Sequence, residues 1–398
     1  MRIFVLGVGA TGSLLAQLLA RQGHQVSCGD RDPDRAHRFL GKESPATVQQ
    51  VNARNLWSVV RAARGAHLIV NACPAVFNTI VLRAALRLRA HYLDTASHLV
   101  RNPFKAEQLG FDARFRAKRR LAVIDAGAAP GLTNLLVACS ADQLDSVEAV
   151  HVRLYESTRS ENPVSQWSPD VAFAEATSRP PVYRQGRFRF GQRFGERELF
   201  RFPPPIGSVG VVLAAQDEVC TVPHVLDLQE MDVKIGGGDI ERLRRWYRQG
   251  KLRKSRGLVA KRFPKTPPPS LVAELIGRGV LRNARFAAAV LVRGRKRGER
   301  TAIRWDVTFP TLYQIHLRGM SISPIAWATA RLAALFIKHA PRELAGVYPP
   351  EALPAKIRRA VLADARSSGI RMVKRIVRLK ASADEELAGE RRPANQGS

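Results

Sequence analysis

The chain has 398 residues, 45% of them hydrophobic and 25% charged. That balance excludes wholesale disorder and supplies apolar side chains for two or three packed domains. It carries 64 lysines and arginines against 34 acids, a net charge of +30, which keeps polyanionic partners in view. The four cysteines, Cys28, Cys73, Cys139 and Cys220, lie far apart. Their spacing excludes a disulfide framework or a zinc finger, and no metal site is expected.

The first ~130 residues alternate apolar strands with helical patterns, as a parallel α/β sheet does. Ile3 to Leu6 reads as a buried strand. Leu14, Leu15, Leu18 and Leu19 mark one face of the helix that follows. Gln25 to Cys28 reads as a second strand, and Asp32-Pro33 opens the next helix. Thr47 to Val51 is a weak third strand and Leu56 to Ala63 a helix. His67 to Ala72 is a strand that Pro74 blocks from continuing. Val76 to Leu88 is helical, His91 to Asp94 a strand, Phe104 to Lys118 an Arg-rich amphipathic helix, and Leu121 to Ile124 a strand. From about Ser146 the pattern changes. Val150 to Tyr155 and Ala289 to Val292 suggest an antiparallel sheet, punctuated by Pro203-Pro204-Pro205, Gly236-Gly237-Gly238 and Pro267-Pro268-Pro269. Pro324 to His339 reads as a helix with Trp327, Leu332, Leu335 and Phe336 on its apolar face. The most apolar long segment, Ile322 to Ile337, contains Pro324 and Arg331 and falls short of the ~20 apolar residues of a membrane span. Met1-Arg2 runs straight into an apolar stretch without a cleavable leader pattern, so a cytoplasmic protein is expected. The segment from Ala381 is polar and expected to be disordered.

Gly7-Val8-Gly9-Ala10-Thr11-Gly12 is a G-x-G-x-x-G sequence between a strand and an amphipathic helix, the context a dinucleotide fingerprint requires. Gly7 permits the tight turn. Gly9 leaves room for the pyrophosphate at the helix N-terminus, and Gly12 lets helix and strand approach. Asp30, at the end of the second strand, stands where an acid binds the adenosine ribose hydroxyls. Its charge favours NAD, whereas Arg31 and Arg35 would pair with a 2′-phosphate; the arginines tip the expectation slightly to NADP. Asn71-Ala72-Cys73-Pro74 and Asp94-Thr95-Ala96 follow strands at the ligand edge and are expected at the nicotinamide ribose. A nucleophilic Cys73 would need an adjacent base, and none is apparent.

These segments resemble a family. Val70-Asn71-Ala72-Cys73-Pro74, Arg83-Ala84-Ala85-Leu86 and His91 to Ala96 are similar to the saccharopine dehydrogenase and carboxynorspermidine dehydrogenase group. So are Gly127-Ala128-Ala129-Pro130-Gly131-Leu132-Thr133-Asn134, Trp167-Ser168-Pro169, Pro181 to Arg187, Pro205-Ile206-Gly207, Asp217-Glu218-Val219 and Gly346 to Glu351, in the same order along the chain. The resemblance implies a Rossmann domain over 1–130 and an inserted α+β substrate and dimerisation domain over 131–340. A C-terminal helical segment over 341–380 would return to the first domain, and 381–398 would form a polar tail. It implies a homodimer and hydride transfer between NAD(P) and a carbon bonded to nitrogen in a small, amino-acid-derived substrate. The cofactor supplies the hydride, and a carboxyl near the nitrogen manages its proton. Asp94 and Asp125 are the candidates for that role.

Pro130, Gly131, Thr133 and Asn134 begin a helix whose N–H groups could hold a substrate carboxylate; N-capping by Thr133 is the alternative. Trp167 and Ser168 belong to a loop that either covers the pocket or anchors itself to the core. His98, His224 and Lys234 are further titratable candidates. The chain departs from the family where Gln216-Asp217 precede Glu218 and where Ser97-His98 follow Ala96.

From Glu241 to Arg300 there are 19 basic residues against 3 acids. This stretch supports a second reading, a non-catalytic nucleotide sensor or nucleic-acid-binding protein, and a third, attachment to an anionic membrane surface.

Overall fold

The computed structural model describes residues 1–41, 44–162, 164–165, 168–251, 266–341 and 343–379. Its first layer system is built from β1 (Arg2–Leu6), α1 (Ala10–Arg21), β2 (Gln25–Asp30), α2 (Pro33–Leu40), β3 (Thr47–Gln50), α3 (Leu56–Ala62), β4 (Leu68–Asn71), α4 (Asn78–Leu88), β5 (His91–Asp94), α5 (Asp112–Ala117) and β6 (Leu121–Val123). After these come α6 (Leu132–Ala141), β7 (Ser146–Ser160), α7 (Pro169–Thr177), β8 (Pro181–Arg184), β9 (Arg187–Phe190), β10 (Glu198–Arg201), β11 (Ser208–Leu213), β12 (Glu230–Gly236), α8 (Gly238–Arg248) and α9 (Pro269–Gly277). The chain closes with β13 (Leu281–Lys296), β14 (Glu299–Thr308), α10 (Leu312–His316), α11 (Pro324–His339), β15 (Gly346–Tyr348), α12 (Ala355–Ser367) and β16 (Arg371–Arg378).

A seven-stranded sheet has the order β15-β6-β5-β4-β1-β2-β3, and every pairing in it is parallel. Parallel strands covered on both faces read as unbroken apolar runs, and β1 is such a strand. Ile3 and Val5 enter one core, shared with α1 and the second domain. Phe4 and Leu6 enter another, roofed by α3, α4 and the 107–117 region. Asp32 caps α2 by accepting the Arg35 N–H at 2.9 Å, with Pro33 in the first turn, the arrangement a helix start calls for.

The second sheet runs β10-β11-β12-β7-β13-β14-β16, with β8 and β9 branching from β12. The antiparallel expectation holds for β7 against β13, where Val150 faces Val292 and Tyr155 faces Ala287; β12 pairs with β7 in parallel. One face packs on α6. There the Trp305 indole N–H donates to Ser140 Oγ at 2.9 Å inside the core. The opposite face buries a network in which Arg153 binds Glu198 and Asp232, while Lys234 binds Glu198 at 2.6 Å.

Three sequence expectations change. Phe104 to Lys118 is not one helix: a 3-10 turn (Glu107–Phe111) leads into the short α5. Tertiary contacts divert the chain, because Phe104 stacks against Phe188 and Phe190 of the second domain and the Gln108 side chain is drawn into the interior. Residues 341–380 are not a helical segment that returns as a unit. β15 completes the first sheet beside β6, α12 packs on α6 and α11, and β16 joins the second sheet beside β14. The free edge of β14 supplies the ladder that β-branched Val373, Ile376 and Val377 complete. Pro324–His339, assigned above to the second domain, packs on α1 of the first as α11. The tail 381–398 lies outside the described residues.

Trp327 is fully buried in α11, the helix that packs against both α1 and β13. Trp327→Ala is expected to lower unfolding free energy by about 3–5 kcal/mol, read as a fall in the denaturant midpoint with an unchanged slope.

Candidate active site

The glycine loop has the geometry the motif demands. Gly7 has φ +93°, and a Cβ there would lie 2.7 Å from Cys73 Sγ. A Cβ on Gly12 would lie 1.9 Å from the Gly7 carbonyl oxygen, so only glycine permits this contact between α1 and β1. A Cβ on Gly9 would meet nothing nearer than the Arg35 guanidinium at 3.7 Å. Gly9 is the N-cap of α1 and no side chain caps that helix. Open space above an uncapped helix N-terminus suits a pyrophosphate, so the residues fit a dinucleotide. Val8, Ala10 and Thr11 complete the turn.

Asp30 is buried, and both its oxygens serve the backbone: Oδ2 accepts from the Val8 N–H at 2.8 Å and Oδ1 from the Asp32 N–H at 3.1 Å. Arg31 is exposed and Arg35 half-buried. Burial pushes the Cys73 thiol up to about 12, so it is not a ready nucleophile. Asn71 spends its side chain on the scaffold, donating to Asn78 Oδ1 at 2.6 Å and accepting the Cys73 N–H. Asn78 in turn donates to the Ala96 carbonyl at 2.6 Å. These bonds hold the ends of β4 and β5, with Ala72, Thr95 and Ala96, as one rigid edge.

The two aspartates singled out in sequence lie side by side and differ in kind. Asp94 Oδ2 accepts from the Tyr92 hydroxyl at 2.8 Å and from Gln108 at 3.1 Å, and Oδ1 accepts the Asp125 N–H at 2.9 Å. Both of its oxygens are thus spent on the scaffold. Asp125 follows β6 at φ +55°. Its Oδ2 accepts from Ser97 Oγ at 2.7 Å, while Oδ1 is buried without a hydrogen-bond partner. Burial, then the neighbouring Asp217 and Asp94 carboxyls, push Asp125 well above the usual carboxylate range.

Thr133 and Asn134 are fully buried and face more carboxyls. Thr133 Oγ1 donates to Glu218 Oε1 at 2.8 Å, and Asn134 Nδ2 donates to Glu351 Oε2 at 3.0 Å. Gly131 occupies the N-cap of α6, and its N–H reaches Asn134 Oδ1 at 2.9 Å; capping by Thr133 does not occur. The N–H groups of Leu132 and Thr133 bond to the carbonyls of Gly127 and Ala128, and Pro130 has none to offer. Among the described residues Glu218 Oε2 and Glu351 Oε1, like Asp125 Oδ1, are buried without partners. Burial raises Glu218 and Glu351 to about 7 and Glu175 to about 8.

Sequence reasoning did not place Ser97, Asp217, Glu218 or Glu351 in this constellation. They come from segments whose only sequence signal is their order along the chain. The Ser97 N–H donates to Asp217 Oδ2 at 2.9 Å, bridging the first domain to the second. His98 Nδ1 contacts the Ala75 carbonyl, His224 Nε2 the Phe104 carbonyl, and Lys234 belongs to the ion-pair network; none of the three joins the cluster. Ser168 is half-buried at the start of α7, and Trp167 lies outside the described residues. Among the described residues, no group of His, Cys, Asp and Glu is arranged to hold a metal ion.

The buried carboxyls set a pH dependence. Glu218 and Glu351 keep their protons to about 7 when folded, against the usual 4.5 of an exposed glutamate. Across that window the folded state binds more protons than the unfolded one, so stability falls as pH rises. The melting temperature is expected to drop between about pH 5 and about pH 8, and Glu218→Gln with Glu351→Gln should flatten the slope. An unchanged slope in the double variant would contradict this account.

Residues 3–130 match the family model described as the saccharopine dehydrogenase NADP binding domain. The fold is similar to saccharopine dehydrogenase (L-Glu forming) from Saccharomyces cerevisiae, with a TM-score of 0.68 at 10% identity over 94% of this chain and 99% of that one. It is also similar to a homospermidine synthase from Legionella pneumophila solved with NAD, with a TM-score of 0.64 at 13% identity over 94% and 91% of the two chains. Residues 3–130, with their open glycine cradle, thus match an NADP-binding domain, and the chain as a whole has the fold seen in saccharopine dehydrogenase.

Proposed function

We propose that the protein is an NAD(P)-dependent oxidoreductase acting at a C–N bond, and that the nitrogen enters as an amine cation. One observation carries this reading: among the described residues Asp125, Glu218 and Glu351 each keep a buried oxygen without a hydrogen-bond partner, and the carboxyls lie close enough to raise one another's proton affinity. An unpaired buried acceptor is costly. An ammonium or iminium brings N–H donors and the charge that several clustered acids require. A substrate carboxylate would meet like charge instead. Arg358, whose charge acts on Glu351, is spent on Asp142 at 2.6 Å and on the Leu353 and Glu351 carbonyls, to which it donates. The amino end of an amino-acid-derived substrate, or an aliphatic amine, therefore faces the acids.

When bound, the dinucleotide supplies or accepts the hydride. The protein's own part is proton and charge control. Protonated Asp125 donates to the imine nitrogen. Hydride then adds to carbon, and the C=N π pair becomes the amine lone pair. Ser97 holds Asp125 in place, and Asp94 fixes the backbone on which Asp125 sits. The reverse reaction returns the proton to Asp125. Asp125→Asn is expected to lower kcat by about 10²–10⁴-fold while leaving the NADPH dissociation constant within about twofold. Full turnover by that variant would overturn the assignment. Substrates are found by pairing aldehydes with amines and following NADPH absorbance. Monoamines and diamines should outperform dicarboxylic amino acids.

The preferred cofactor on this reading is NADP. Asp30 is occupied by two backbone N–H groups, and Arg35 stands beside Gly9 with its guanidinium 4.7 Å from the Phe39 ring centre. Loss of a charged hydrogen bond to phosphate is worth about 1.5–3 kcal/mol. Arg35→Ala should therefore weaken NADPH by about tenfold or more and NADH by far less. Equal losses for both would place Arg35 at the pyrophosphate instead.

A further inference from the structure

We infer that the helix layer of the dinucleotide domain facing away from the second domain is a docking surface for an anionic lipid bilayer. This layer consists of α3, α4, the 107–111 turn and α5, bordered by the loops after β3, β4 and β5, the last of which also reaches the second domain through Ser97 and Phe104. Between residues 52 and 120 it holds thirteen lysines and arginines and three acids, and every one of the basic residues except Arg120 is exposed. The acids are spent. Asp94 is buried, Asp112 is bonded to Arg116 and to the Val347 N–H, and Glu107 takes the Arg101 N–H. Among the described residues Arg61, Arg83, Arg87 and Arg114 have no carboxylate partner. A surface left with this much uncompensated positive charge calls for a polyanion.

Apolar side chains distinguish the kind of polyanion. Trp57, in the first turn of α3, is 58% exposed, and Val76 at 52% and Val100 at 67% stand in the segments that follow β4 and β5. Those loops touch in sequence. The Arg54 guanidinium lies 5.8 Å from the Phe77 ring centre, and His98 Nδ1 lies 2.7 Å from the Ala75 carbonyl. The Arg87 guanidinium lies over Trp57 at 4.5 Å. The result is a row of protruding apolar residues bordered by arginines. Tryptophan and aliphatic side chains that enter the headgroup zone, with arginines reaching phosphates, form the pattern of an interfacial surface. Two protruding valines give nothing to a nucleic-acid backbone or to stacked bases. A second copy of the chain is disfavoured because a two-fold contact would set like charges against each other. Among the described residues no helix is long and apolar enough to cross a membrane, so attachment on this surface is peripheral.

The test is co-sedimentation of the full chain with phosphatidylcholine vesicles, with and without phosphatidylserine. Binding is expected only with phosphatidylserine, weakening steeply between about 0.05 M and about 0.3 M salt, and accompanied by a blue shift of tryptophan emission that Trp57→Phe removes. Trp57→Ser with Val100→Asp, and separately Arg83→Glu with Arg87→Glu, should each weaken partitioning by about tenfold or more; unchanged NADPH binding reports that both variants fold. Absence of vesicle binding at low salt, equal binding to neutral vesicles, or variants that alter oligomeric mass or duplex DNA affinity and leave vesicle binding intact would each overturn the inference.

Discussion

The arrangement around Asn134 is the constraint on which the rest of the site depends. One side-chain amide accepts the Gly131 N–H and donates to Thr221 and to Glu351, residues 87 and 217 positions away. Its neighbour Thr133 holds Glu218. A helix start that belongs to neither sheet alone therefore fixes acids from two remote segments. Gly131, at φ +130°, makes this possible, because a Cβ there would fall 2.0 Å from the Gly127 carbonyl oxygen.

The same interaction explains how the domains share one interior. α6 runs from the cluster into the core that joins β1 and β5 to β7, β13 and α11. Ser97 and Asp217 close the junction from the other side. Apolar packing thus sets the distance between the sheets, and the polar bonds at the start of α6 fix which carboxyls face each other. Burying several acids together without a cation raises their proton affinity. A site of that kind is stabilised by a ligand that carries N–H donors and positive charge, which connects the packing directly to the chemistry proposed for Asp125.

Much of the first domain was legible because its rules are local. The apolar runs of β1 and β4, the Asp32-Pro33 start of α2 and the Gly7–Gly12 turn each satisfy their own backbone within a few residues. Strand ends such as Asn71 and Asp94 follow from the same alternation. Elsewhere local pattern misleads. The segment Phe104 to Lys118 has helical spacing, but Phe104 finds better burial on Phe188 and Phe190, and Gln108 is drawn in to Asp94. Arg371–Arg378 falls in a segment expected to be helical and becomes a strand because the free edge of β14 supplies its ladder.

The sequence by itself determined a glycine turn between β1 and α1 of the kind that fits a dinucleotide, since positive φ at Gly7 and close approach at Gly12 admit no other residue type. It also placed Asp94 and Asp125 at the ligand edge. What it left open was which carboxyl has an oxygen to spare. Asp94 and Asp125 look alike as residues, and only their neighbours separate a fully bonded anchor from an acid with an idle oxygen. Glu218 and Glu351 carry no local signal, because the desolvation that changes their chemistry arises only when distant segments close over them. That decision belongs to the tertiary structure: hydrogen-bond satisfaction and burial are properties of surroundings, and those surroundings are assembled from both ends of the chain.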